Sequence, residues 1–259
     1  LSTAPTIVRL KPLAMRTRPL YPLLLGCVLL LAGCGTESSN SSASSNPSRA
    51  QAAAPETTAA APASTEPADD PIRVLVLGNS IAAGSGVAPE EAFPARLQQR
   101  VDSLGWNVDI INGGVSGETT AGGLRRLDWL LRQPIDVLIV ELGGNDGLRG
   151  TELSATRQNL QAIIDTTRAQ YPDVRILLAG MQLPPNLGPD YTQRFRALYP
   201  DLAEANNVGL IPFLLEGVGG VDSLMQSDGI HPTADGQDIV AQNVWAALRP
   251  VLQSLRQEA

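Results

Sequence analysis

Five short apolar runs punctuate the chain after its first seventy or so residues: Ile72–Leu77, Val108–Ile111, Val137–Glu141, Ile176–Ala179 and Val208–Ile211. Most are nearly continuous in Val, Ile and Leu rather than alternating with polar residues, the pattern of strands buried on both faces of a parallel sheet. Between the runs the period of the apolar positions changes. Phe93, Leu97, Val101 and Leu104 step by four, four and three. Leu153, Thr156, Leu160, Ile163, Ile164 and Thr167 hold the same helical stripe, and Ile239, Val240, Val244, Ala247, Leu248, Val251 and Leu252 make a last one. Strand alternating with helix implies right-handed crossovers, and so predicts a three-layer α/β/α domain around a parallel five-stranded sheet.

The residues before this pattern read differently. Arg9, Lys11, Arg16 and Arg18 precede a nearly unbroken apolar stretch from Leu20 to Leu31, with no acidic residue among them. A basic start and roughly a dozen apolar residues predict an export signal over residues 1–33, too short to span a bilayer, with Met15 as the expected translation start. The stretch ends Leu31-Ala32-Gly33-Cys34, which resembles the lipobox of bacterial lipoproteins. That resemblance implies that Cys34 is lipidated and becomes the first mature residue. Multiple acyl chains would suffice for a stable membrane anchor. Gly35, rather than Asp, after that Cys suggests the periplasmic side of the outer membrane in a two-membrane cell. Residues 34–70 are then mostly Ser, Ala, Thr, Pro, Asn and Glu, with no aromatic side chain. Such a segment buries too little apolar surface to offset its ordering entropy and is read as a tether. Residues 71–259 are sized for one domain with a real core.

Charge narrows the function classes. The chain carries 19 Lys and Arg against 26 Asp and Glu, a formal charge of −7. Removing the four basic residues of the signal leaves fifteen against twenty-six, near −11. With Lys11 as the single lysine, the mature domain has none, which argues against nucleic acid as a partner. One histidine, and no cysteine left beyond Cys34 once Cys27 is removed, argue against a metal site and against disulfides. No cofactor is expected.

In an open parallel sheet, ligands bind at the carboxyl ends of the strands. Four segments leave those ends with unusual chemistry: Gly78-Asn79-Ser80, the run Asn112 to Thr120, the run Glu141 to Gly150, and Ser227 to Thr233. The first could turn the chain or carry a nucleophile; it lacks the Lys of a phosphate loop and the spacing of a dinucleotide fingerprint. His231, the sole imidazole, is the default base near neutral pH. Asp228 lies three residues earlier, where it could hold the ring's tautomer or simply cap a turn. Pro232 restricts His231 to extended backbone. Gly117 could aim an unhindered N–H at a ligand, and Asn145 a side-chain amide, though both types are also common in turns.

Gly78-Asn79-Ser80, Gly117, Asn145 and Asp228-x-x-His231 resemble, in order and spacing, the four blocks of the SGNH or GDSL hydrolase family. The resemblance spans essentially Ile72 to Leu252. The segments Val140 to Gly150 and Asp228 to Pro232 resemble most specifically the bacterial periplasmic branch of acyl-CoA thioesterase, lysophospholipase and arylesterase. It implies a flavodoxin-like fold and hydrolysis of carboxylic esters or thioesters through an acyl-enzyme. Ser80 would be the nucleophile, His231 the base and Asp228 its orienter. The N–H groups of Ser80 and Gly117 with the Asn145 amide would form the oxyanion hole. Substrate loops would fall at Gly147–Gly150, including Leu148, and around Leu183-Pro184, taking a small-molecule or lipid ester. One departure stands out: the family usually has Asp before the nucleophile, and here the residue is Asn79.

Three other readings compete. A glycosidase would use Glu141, Asp146 and Asp228 but leave Ser80 and His231 idle. A carbohydrate O-acetyl esterase would share the whole constellation. A lipid-anchored binding module could keep the fold without the chemistry.

Overall fold

The computed structural model describes residues 70–258. The expected export signal, Cys34 and nearly all of the expected tether lie outside the described residues. Five strands, β1 (Ile72–Gly78), β2 (Val108–Gly114), β3 (Val137–Glu141), β4 (Arg175–Ala179) and β5 (Gly209–Ile211), form one sheet. All pairings are parallel and the order is β2-β1-β3-β4-β5. The expected α/β architecture is therefore the observed one. The direction in which successive strands are added reverses between β1 and β3, placing the switch point at the carboxyl ends of those two strands.

The helices are α1 (Ser80–Ala83), α2 (Phe93–Ser103), α3 (Thr120–Leu130), α4 (Gly144–Leu148), α5 (Leu153–Gln170), α6 (Pro189–Asn206) and α7 (Ala234–Glu258). α2 packs on α7, while α3 packs on α5 and α5 on α6, giving the two outer layers. The helical stripes read from periodicity are the buried faces of α2, α5 and α7: Phe93, Leu97 and Val101; Leu160, Ile163 and Ile164; Val240, Val244, Leu248 and Leu252. Each such side chain contributes about 1.5–3 kcal/mol by leaving water. Leu104, the last step of the first stripe, is the exception. It caps α2 outside the helix and stays 49% exposed.

Two details depart from the periodicity. β2 continues through Asn112, Gly113 and Gly114, read above as loop. The glycines are what allow it: a side chain on Gly113 would meet the Val76 carbonyl at 2.8 Å, and one on Gly114 would strike the backbone of Ala83. β2 is also an edge strand with mixed burial, so its apolar run covers only one face. The helices α3 and α6 carry no clean apolar stripe in sequence. α3 starts where Thr119 accepts the Gly122 N–H, and α6 contains Pro200.

Candidate active site

β1 ends at Gly78 and the chain turns at once into α1. Asn79 caps that helix, its Oδ1 accepting the Ile81 N–H at 2.9 Å. Ser80 is thus the first helical residue, only 9% exposed and set at the carboxyl edge of β1. His231 reaches it from the loop before α7: Nε2 lies 2.9 Å from the Ser80 hydroxyl. On the far side of the ring, Nδ1 lies 2.6 Å from Asp228 Oδ2.

Asp228 does both jobs left open by its spacing. Its Oδ1 accepts the backbone N–H groups of Ile230 (2.9 Å) and His231 (3.0 Å), closing the turn, while Oδ2 takes the imidazole. The hydrogen bond from the His231 ring, followed by those from the two backbone N–H groups, holds its carboxyl down at about 2. An ionised acceptor at Nδ1 puts the ring proton there and leaves Nε2 free to accept from Ser80.

Two glutamines that sequence reading passed over hold these loops together. The Gln226 amide donates to the carbonyls of Ser85 and Pro232, both at 2.8 Å, and its backbone N–H donates to the His231 carbonyl at 2.7 Å. Gln237, fully buried at the start of α7, donates to the Ile81 carbonyl at 3.0 Å and accepts the Phe93 N–H at 3.0 Å. Neither sits in a recognisable motif. Their partners across the fold, Ser85, Phe93 and Ile81, lie 141–156 positions away, so no local signal could have found these contacts.

The second and third rim segments meet beside Ser80. The Val115 N–H donates to the Gly78 carbonyl at 3.1 Å, bringing the end of β2 against the Ser80 turn. Gly117 follows with φ 76°, a left-handed conformation that favours glycine, and is exposed. Asn145 lies on α4, where its amide donates to the Glu118 carbonyl at 2.9 Å. That bond uses one of its two N–H groups and fixes the amide plane. Its neighbour Asp146 is buried and spends both carboxylate oxygens on Thr120, one on the N–H and one on the hydroxyl. Glu141 is buried completely beneath the Ser80 turn. The carboxylates of a glycosidase therefore do not converge on a common opening.

A cavity of about 410 Å³ opens next to Ser80. Leu148, Leu183 and Pro184 all line it, as do Asn79, Ser80 and Asn145, and Met181, Phe213, Met225 and Ile230 give it a mostly apolar wall. Gly117, Asp228 and His231 stand outside its lining. Among the described residues no cluster of His, Cys, Asp or Glu could hold a metal ion.

A parallel β2-β1-β3-β4-β5 sheet with a hydroxyl, an imidazole and a carboxylate in line at one rim defines a class of protein. The chain belongs to the GDSL-like lipase/acylhydrolase family, whose model matches residues 76–239. Among its relatives, Esterase TesA of Pseudomonas aeruginosa is 44% identical over 180 residues, covering 69% of this chain and 89% of that protein. Thioesterase 1/protease 1/lysophospholipase L1 of Escherichia coli K12 is 40% identical over 181 residues, covering 69% and 84%. In three dimensions the chain is similar to the crystal structure of TesA, with a TM-score of 0.67 and 42% identity, covering 69% of this chain and 99% of that one.

Proposed function

We propose that this protein is a serine hydrolase of carboxylic esters or thioesters, of the esterase, thioesterase and lysophospholipase kind its relatives are named for. The observation that carries this reading is the continuous path from Asp228 through His231 to Ser80, at 2.6 and 2.9 Å, ending beside an apolar cavity. His231 Nε2 takes the Ser80 proton as the hydroxyl attacks the acyl carbonyl, and Asp228 stabilises the imidazolium that forms. The oxyanion is received by the N–H groups of Ser80 and Gly117 and by the second N–H of Asn145. His231 then protonates the leaving alcohol or thiol, and water, activated by the same ring, hydrolyses the acyl-enzyme.

The acyl chain lies along Leu148, Leu183 and Pro184. Their apolar surface favours acyl chains over the O-acetyl groups of a carbohydrate, which share the chemistry but need no such wall. Rates on p-nitrophenyl esters from acetate to palmitate, with Ser80→Ala as control, test both points. A preference for acetate alone would favour the carbohydrate reading. Failure of a fluorophosphonate probe to label Ser80 would favour a non-catalytic binding module.

Residues 1–33 serve as an export signal, Cys34 carries the lipid, and residues 34–70 tether the hydrolase domain of residues 71–259 to the periplasmic side of the outer membrane. The composition of those segments and the Leu31-Ala32-Gly33-Cys34 sequence support this. Cys34→Ser should move the protein from the membrane to the soluble envelope fraction; retention in the membrane would sink the anchor.

A further inference from the structure

The residue that departs from the family pattern, Asn79, sits directly over the only fully buried carboxyl group among the described acidic residues, Glu141. Glu141 ends β3 at the switch point, paired in register with Gly78. Its Oε2 accepts the backbone N–H of Asn79 at 2.8 Å and that of Ala82 at 3.3 Å, so one oxygen grips the chain on both sides of Ser80. Its Oε1 is buried and meets no hydrogen-bond partner among the described residues. The turn is shaped around this group: a side chain on Gly78 would strike Ala82 Cβ and come within 2.6 Å of Glu141 Oε2.

We propose that Glu141 is a positioning residue of the hydrolytic site, acting through the Asn79 and Ala82 N–H groups, and that its ionisation sets an upper pH limit to turnover. This rests on the ester-hydrolase reading above. Two consequences follow from the contacts. As a neutral acid, Glu141 holds the turn with Ser80's own N–H free to face an oxyanion. As a carboxylate, it places a negative charge behind that N–H, within one residue of the atom on which negative charge must develop. That charge opposes the tetrahedral intermediate.

Burial raises the Glu141 carboxyl from about 4.5 to about 8, against the opposing effect of the Asn79 and Ala82 N–H bonds and the Asn79 side chain. The change therefore falls at the alkaline edge of the working range. Few other charges face it. β1 and α1 contribute none. Arg126 of α3 donates to the Gly78 carbonyl at 3.1 Å but is paired with Glu118 at 2.7 Å. Asp146 of α4 is tied to Thr120, the Tyr199 hydroxyl of α6 donates to the Leu142 carbonyl at 3.0 Å, and His231 meets the turn only through Ser80.

Asn79 gives the second handle. Its Oδ1 is committed to the Ile81 N–H, and its amide donates towards Glu141. An Asp there would replace a donor by a second acid in contact with the first, and two adjacent carboxyls do not ionise together at a single pH.

The test is the pH profile of kcat on a p-nitrophenyl ester between pH 6 and 9.5, with Ser80→Ala subtracting spontaneous hydrolysis. Wild type should lose at least fivefold in kcat as pH rises through about 8, with KM changing less than twofold. Glu141→Gln keeps an acceptor for the N–H groups and cannot ionise. It should be several-fold slower at pH 6.5 yet lose less than twofold by pH 9.5. Asn79→Asp should move the alkaline loss to higher pH. The melting temperature gives an independent reading, since the slope of Tm against pH from 6 to 9 should flatten in Glu141→Gln. A kinetic profile in Glu141→Gln parallel to wild type overturns the proposal, and if Tm flattens all the same, the group is merely structural. An Asn79→Asp limb that stays in place also counts against it. Absence of wild-type turnover sinks the ester-hydrolase reading itself, a result distinct from either.

Discussion

Removing the Asn145 amide should separate transition-state binding from substrate binding. The side chain is part-buried on α4, and its plane is fixed by the 2.9 Å bond to the Glu118 carbonyl. One N–H is therefore committed and the other is pre-set, so on the proposed mechanism no reorganisation would accompany oxyanion formation. A preorganised donor of this kind is worth about 2.7–4 kcal/mol, or about 10²–10³ in kcat. Asn145→Ala should fall in that range with KM changed by no more than about threefold, because the ground-state carbonyl gains little from the same donor. The truncation also leaves the Glu118 carbonyl unpartnered, which costs stability of about 1 kcal/mol but not turnover per folded molecule. The assay is steady-state hydrolysis of p-nitrophenyl butyrate, with the active fraction counted by fluorophosphonate labelling of Ser80. If kcat per labelled site stayed within fivefold of wild type, the amide would not face the oxyanion and the assignment of Asn145 would be wrong.

Three further outcomes follow from the site. Asp228→Asn removes the anion that holds the His231 tautomer and should lower kcat by about 10⁴-fold, as in other triads. Because the folded-state value lies below the ordinary one, Asp228 contributes stability that is fully present above about pH 4 and is lost as pH falls through about 2. The Tm difference between wild type and Asp228→Asn should shrink over that window, and a constant difference would contradict the Asp228–His231 pairing. Gly78→Ala forces a methyl against Ala82 and Glu141 and should destabilise by about 1–3 kcal/mol in urea unfolding. An unchanged midpoint would mean that the turn has room the geometry denies.

Legibility in the sequence followed the range of the interactions involved. The five strands and the helices α2, α5 and α7 could be read directly, because burial imposes a period on the residues themselves. Asp228 and His231 could be read for a similar reason: one four-residue turn carries both the carboxylate and the ring it meets. β2 was misjudged at its end because Gly113 and Gly114 look like loop residues until α1 is seen lying against them. α3 and α6 were missed because their apolar positions are diluted by glycine, charge and proline.

By itself, then, the order of residues determined the layer architecture, the rim on which chemistry would gather, and the pairing of a nucleophile candidate with one imidazole and one local acid. Tertiary structure alone decided that Ser80 and His231, 151 positions apart, stand 2.9 Å from each other. It also decided that Gln226 and Gln237 lock the two loops, and that Asn145 keeps one N–H in reserve. The same holds for Glu141. In sequence it is one more acidic residue at a strand end, while in the fold it is a fully buried carboxyl beneath the Ser80 turn. The physical reason is common to all of these. Hydrophobic period is a property of neighbours along the chain, whereas desolvation and hydrogen-bond partnership depend on which distant backbone closes over a side chain.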